Sequence, residues 1–303
     1  MSVLVAGGCG FIGSHLVRKL VSAGEKVVAF DLRPNLTLLK DIADKLTIVQ
    51  GDSTSATDIF QVIQEHKVRD VVHLVGLLAD VSQVKPVLAQ KVSVDSTLNF
   101  LEAARIFGLN RLVYASSSAV YDPKEPAPVS EAVSPHPPSV YGATKMMSEF
   151  YGMHYHKMFG VDFVALRFTT IYGLGKSGGS TGICSQMIEK AALGQAVVVD
   201  AADAVTDWLY IKDAVKAILL AKQVANPQQR IYNIGGATYS TRQVADVVRR
   251  MIPDAQIELQ AKKTFPWPPS YDLSRAEAEL KYKPSFDIEK GVADFIEDCR
   301  RMK

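Results

Sequence analysis

"VLVAGGCGFIGSHLVRKL", residues 3 to 20, decides the fold. A short apolar run ends at a glycine cluster, and an amphipathic stretch follows at once, which reads as strand, turn and helix. Gly7, Gly10 and Gly13 mark that junction. A helix N-terminus presents unpaired N–H donors and the positive end of its dipole, so a pyrophosphate fits there. Glycine is needed because a side chain would block the anion's approach or the packing of helix on strand. With Phe11 and Ile12 between them, these glycines are the candidate pyrophosphate site. Eighteen residues beyond Gly13, Asp31 closes the next strand, "KVVAFD", near the ~20-residue offset of a ribose-binding acid. Asp31 would accept hydrogen bonds from both ribose hydroxyls, whereas a 2'-phosphate would meet its charge, so NAD is expected rather than NADP. Arg33 is counted with the cofactor residues although a guanidinium is what a 2'-phosphate site uses. Asp52 with Ser53 in "QGDS", and Leu74 after the fourth strand, complete this set. Asp52 suits either the adenine amino group or an ordinary turn.

Outward from this stretch, apolar runs alternate with amphipathic ones: "KVVAF", "LTIV", a helix near 56 to 65, "DVVHLV", a long helical stretch near 84 to 107, "RLVYASS" and "VDFVALRF". That rhythm predicts an α/β fold, a Rossmann doubly wound parallel sheet of about six or seven strands. A proline-rich loop runs from Asp122 to Pro138. After Arg167 the pattern loosens, which predicts a smaller, interleaved C-terminal substrate region. The division is 1–168 for NAD binding and 169–303 for substrate, with 207–234 returning to the first part. "YSTRQVADVVRRM" reads as a helix capped by Ser240 or Thr241.

The 303 residues carry 34 basic and 32 acidic side chains, a net charge of +2, and no long basic run, which argues against nucleic acid. No uncharged apolar run is long enough to span a bilayer, and no basic leader precedes the first strand, so a soluble, cytoplasmic protein is expected. Cys9, Cys184 and Cys299 are far apart and odd in number, as reduced thiols are, and His154 and His156 lack metal-ligand spacing, so no metal site is expected.

"SVYGATKMM", residues 139 to 147, places Tyr141 and Lys145 one helical turn apart. A second such spacing, Tyr172 and Lys176 in "YGLGK", contains two glycines that argue against a helix and reads as a decoy. The glycine motif, Asp31, "VVHLV", "YASSSAVY", Tyr141-x-x-x-Lys145 and "LRFTTIYG" together resemble the extended short-chain dehydrogenases/reductases, the NAD-dependent epimerase/dehydratase family. The closing segment "DLSRAEAELKYKPSFDIEKGVADFI" is similar to that family's end. The resemblance implies a catalytic set of Ser117, Tyr141 and Lys145, with Ser118 as the alternative serine, and implies that Lys145 also holds the nicotinamide ribose.

The chemistry accounts for these residue types. A phenol with an ordinary pKa near ~10 is a weak base at neutral pH, and lowering it enough to act costs about 3 to 4 kcal/mol. An ammonium near ~4 Å supplies that at an effective dielectric of ~20. Ser117 would hydrogen-bond the substrate oxygen. By resemblance the helices near 84 to 107 and around Tyr141 pair with a second copy in a homodimer.

Departures from the family bear on the substrate. Dehydratases carry an Asp-Glu pair after the serine, where this chain has Ser118 and Ala119. Nucleotide-sugar epimerases carry an asparagine and an arginine that grip a diphosphate, where this chain has Thr170 and Thr206; Lys176 or Lys262 is placed to compensate. Ser93 stands where the family usually has asparagine. The chain is also similar in part to epimerase-like L-threonine dehydrogenases, though their serine-glycine-glutamate feature is absent. Thr170, Ser180, Thr181 and Trp267 join Ser117 and Ser118 as substrate candidates, with "GLGKSGGSTG" and "TFPWPPS" as lining segments. The leading expectation is an NAD-dependent oxidoreductase or epimerase acting on a secondary alcohol of a small sugar-like or hydroxy-acid substrate. A nucleotide-sugar 4-epimerase is the alternative, and a non-catalytic NAD-sensing interaction protein the third reading.

Overall fold

Alternate residues of the first strand, β1 (Ser2–Ala6), go to opposite cores. Val3 and Val5 pack with Leu16, Val17 and Leu20 of the helix Phe11–Ser22. Leu4 and Ala6 pack instead with Ile59, Val62 and Phe100 of the helices Ala56–Glu65 and Ser96–Phe107. A strand buried on both faces in this way belongs inside a helix-covered parallel sheet. The computed structural model describes residues 2–176 and 178–302. Its first six strands are β1, β2 (Lys26–Asp31), β3 (Thr47–Gln50), β4 (Val68–His73), β5 (Arg111–Ser117) and β6 (Phe163–Phe168). The remaining six are β7 (Thr170–Tyr172), β8 (Val197–Val199), β9 (Val205–Tyr210), β10 (Ile231–Ile234), β11 (Ala237–Ser240) and β12 (Ile257–Leu259).

Seven strands form one sheet in the order β10-β6-β5-β4-β1-β2-β3, and every neighbouring pair is parallel. The Rossmann-type sheet expected from the alternating runs is therefore present. A three-stranded sheet, β11-β9-β7, and a parallel pair, β12-β8, lie outside it. The helix Ile211–Gln223 packs on the large sheet, and β10 supplies its last strand beside β6. Ser240 caps the helix Thr241–Met251 in a capping box with Gln243.

The long helix expected near 84 to 107 is broken. Pro86 cannot donate to the preceding turn, and Lys85 leaves helical geometry at φ −132°, so Ala79–Val84 and Pro86–Ala89 are separate. A π-helical segment, Gln90–Asp95, then leads into Ser96–Phe107. The Ser93 carbonyl there accepts from the hydroxyls of Thr97 at 2.7 Å and Ser148 at 3.2 Å.

The helix Val140–Phe159 is held to the sheet by charge as well as packing. Glu149 on the helix and Arg167 on β6, each only 3% exposed, pair at 2.6 Å. Ser116 on β5 donates to Glu149 at 2.5 Å, and Arg167 donates to the Tyr121 hydroxyl at 2.7 Å. Removing one partner of a buried pair strands the other without a counter-charge, which costs about 3–5 kcal/mol. Arg167→Met is therefore expected to lower unfolding free energy by about that amount. Urea titration followed by circular dichroism checks this; a loss under about 1 kcal/mol would show that the pair does not hold the helix.

Candidate active site

The strand order reverses between β1 and β4, and such a reversal opens a crevice at the carboxyl ends of the strands. The glycine turn occupies it. Gly7 adopts φ +77°, and a Cβ there would stand 3.5 Å from Leu74 and Val75, which follow β4. At Gly13 a Cβ would lie 2.0 Å from the Gly7 carbonyl oxygen, so only glycine lets the helix start this close to the strand. No side chain caps Phe11–Ser22, so the first-turn N–H groups of Phe11, Ile12 and Gly13 are left to an anion. The Asp31 carboxylate, at the end of β2, accepts from the Cys9 N–H at 3.3 Å and the Arg33 N–H at 3.2 Å. Burial, with the Asp31 charge adding to it, pushes the Cys9 thiol up to about 11. The Arg33 side chain is exposed. Asp52 spends one oxygen on an Asx turn with Thr54 at 2.8 and 2.9 Å, and Ser53 is buried with its carbonyl accepting from Asn99. A bare backbone cradle beside an acid suits a dinucleotide.

Ser117 ends β5, and its Oγ accepts from the Ala119 N–H at 3.2 Å. Tyr141 enters from Val140–Phe159, whose cap is Ser139. Gly142 makes the approach possible, because a Cβ there would lie 2.1 Å from the Ala119 carbonyl oxygen. Burial pushes the Tyr141 phenol up, and a hydrogen bond with Ser117 pulls the other way. One turn on, the Lys145 ammonium donates to the Ala115 carbonyl at 2.7 Å and lies 5.7 Å from the centre of the Tyr141 ring. Burial lowers Lys145 to about 8, against the favourable charge of Glu149. The sequence spacing brings the two residues together; Lys145 gives one N–H to a backbone carbonyl, and in the chain alone desolvation is the larger influence on Tyr141.

Thr170 and Thr206 share a hydrogen bond of 2.8 Å, and the Trp267 indole N–H donates to Thr206 at 2.9 Å. Phe265 stacks on Trp267 with centroids 4.8 Å apart. Ser118 is buried beside the Tyr271 hydroxyl. Ser180 is exposed, and Thr181 accepts from the Lys176 ammonium at 2.5 Å. Ser177 of the same loop lies outside the described residues. Tyr172 is packed in the core against Trp208 and Tyr210, so with Lys176 it forms no proton-transfer pair.

The model of the family described as "NAD dependent epimerase/dehydratase family" matches residues 3–235. The chain belongs to this family. Its members work with NAD, and the chain is an NAD-dependent enzyme. It is similar to the UDP-glucose 4-epimerase of Mycolicibacterium smegmatis, with 29% identity over 99% of both chains. Among solved structures it is similar to a partial consensus L-threonine 3-dehydrogenase, with 25% identity and a TM-score of 0.91 over 99% of this chain and 100% of that one. The Thermus thermophilus UDP-glucose 4-epimerase in complex with NAD superposes with a TM-score of 0.88 and 26% identity over 99% of both chains.

Two residues beside the family's Tyr-x-x-x-Lys pair escaped the sequence reading. Gly142 carried a signal, a glycine directly after the tyrosine in a helix. Gly76 carried none: a Cβ there would lie 3.2 Å from the Lys145 ammonium, a contact only the fold creates. Gly13→Ala is expected to weaken NAD binding by about five- to a hundredfold, since overpacking of about 1–3 kcal/mol must be relieved by moving the loop. Calorimetric titration with NAD checks this; unchanged affinity would remove the glycine turn from the cofactor site.

Proposed function

We propose that the chain oxidises, or inverts through oxidation, a secondary alcohol of a small sugar-like or hydroxy-acid substrate. Residues 1–168 would hold NAD, and 169–303, apart from the return at 207–234, would supply the substrate side. The observation carrying the substrate class is the Thr170–Thr206–Trp267 chain of hydrogen bonds. Where nucleotide-sugar epimerases have an arginine, this chain has a neutral hydroxyl already engaged by a threonine and an indole. Losing such a cation removes charge-assisted hydrogen bonds of about 1.5–3 kcal/mol each.

Bound NAD in its oxidised form supplies the hydride acceptor and a positive charge. Ser117 donates to the substrate hydroxyl oxygen and holds it as its C–O bond gains double-bond character. Tyr141 takes the proton of that hydroxyl, and for this its phenol must ionise against the desolvation that raises it. Lys145 has two N–H groups beyond the one given to Ala115, and these would hold the nicotinamide ribose while its charge favours the phenolate.

The second reading, a nucleotide-sugar 4-epimerase, is favoured by the likeness to the two UDP-glucose 4-epimerases. Absorbance at the NADH band, with a panel of sugars, sugar acids, hydroxy acids and nucleotide sugars plus NAD, separates them. NADH accumulating with one small substrate, and lost by about 10²–10⁴-fold in Tyr141→Phe, is the expected result. An isomerised nucleotide sugar without net NADH would overturn the small-substrate reading.

A cytoplasmic homodimer completes the reading. No helix among the described residues is long and apolar enough to cross a membrane. Val84, Val87, Met147, Phe150 and Met153 expose apolar surface along Ala79–Val84, Pro86–Ala89 and Val140–Phe159, a face suited to a second copy. Phe150→Asp is expected to halve the mass seen by light scattering; a monomeric parent would dismiss the dimer.

A further inference from the structure

Lys176 is a partly buried ammonium with neutral partners. It donates to the Ile171 carbonyl at 2.7 Å and to the Thr181 hydroxyl at 2.5 Å, and no carboxylate pairs with it among the described residues. Taking an unpaired ammonium out of water is costly, and a solvated position would avoid that cost. The fold nevertheless holds it there. Gly173 at φ +152° and Gly175 at φ +92° turn the chain back, and a Cβ at Gly173 would meet Ile211 at 2.4 Å, with the Phe11 ring next at 3.7 Å. The Leu174 carbonyl receives His15 Nε2 at 2.9 Å. The ammonium comes to 5.9 Å from the centre of the Phe11 ring. Phe11 is the first residue of the uncapped helix at the glycine turn.

We infer that Lys176 is a ligand of the cofactor's diphosphate, the cation that completes the backbone cradle of Gly10 to Gly13. The inference rests on the reading of that turn as the NAD site. A lysine acts on phosphate as a point charge, and beside a helix N-terminus the two attractions add. Lys176 is thus a cofactor-positioning residue, in place of the substrate contact that its sequence neighbourhood suggests.

Burial lowers Lys176 to about 8. The titratable groups in its neighbourhood stay neutral between about pH 7 and about pH 9.5: Cys184, which acts on it directly and which burial pushes up to about 12, His15, bonded to the Leu174 carbonyl and lowered by burial, and Tyr172, four residues earlier and raised by burial. An anion that needs the charged lysine therefore binds more weakly as pH rises through about 8.

ADP is the probe, because it carries the diphosphate and lacks the nicotinamide ribose that Lys145 would hold. Calorimetry on the full chain compares ADP, adenosine and UDP for wild type, Lys176→Met and Lys176→Arg at about pH 7 and about pH 9.5. Lys176→Met should weaken ADP about ten- to a hundredfold at the lower pH, leave adenosine unchanged and abolish the fall in ADP affinity with pH. Lys176→Arg should restore most of the loss. Equal ADP affinity in Lys176→Met, an equal loss for adenosine, or a loss confined to UDP would each overturn the inference. A wild-type chain that binds neither ADP nor NAD would instead sink the reading of the glycine turn, and the inference with it.

Discussion

A carboxylate and a guanidinium, Glu149 and Arg167, meet in the dry seam between the helix Val140–Phe159 and β6, and the site is arranged around that contact. Burying two charges is favourable only when the remaining lone pairs and protons are also satisfied. Here Ser116, Tyr121 and Asn233 do this, Tyr121 donating to Asn233 on β10 at 2.8 Å. Asn233 in turn donates to the Val129 carbonyl at 3.0 Å, which brings the loop after β5 into the same network. One polar cluster thus ties β5, β6, β10, the helix and the proline-rich loop into fixed register. Lys145 lies one turn before Glu149 on the same helix face, so the pair that docks the helix also aims the lysine at the end of β5.

The polar seam contrasts with the neutrality of the substrate side. Thr170, Thr206 and Trp267 satisfy one another, and Asp207, next along β9, is turned inward to accept from Thr169 and the Gly236 N–H. Burial raises the Asp207 carboxyl, against the hydrogen bonds from Gly236 and Thr169. Lys145 and Lys176 are both lowered to about 8 by burial. An incoming anion would raise each of them again. Protonation at this site is therefore a property of the assembled complex more than of the chain alone.

Much of the cofactor side was legible in the sequence because its constraints are local. A positive φ at Gly7, a Cβ that cannot exist at Gly13 and an acid at the end of the next strand are written within residues 7 to 31. The break at Pro86 was written as plainly and was passed over, because the apolar periodicity runs on through it. The meeting of Thr170 with Thr206, 36 residues away, and of Thr206 with Trp267, 61 away, leaves no local trace. Lys176 was legible as half of a decoy pair and as a stand-in cation on the substrate side, not as a neighbour of the glycine turn.

By itself the sequence determined the parallel sheet, the dinucleotide turn and the helical placement of Tyr141 against Lys145. Side-chain alternation, glycine sterics and the helical repeat act over a few residues and need no partner from elsewhere in the chain. Only the tertiary structure decided what those residues feel: that Lys145 gives an N–H to the Ala115 carbonyl, that Tyr141 is raised by burial, and that Lys176 sits over Phe11. Desolvation and pairing depend on which distant segments close over a group, and that is settled when the sheets and helices pack.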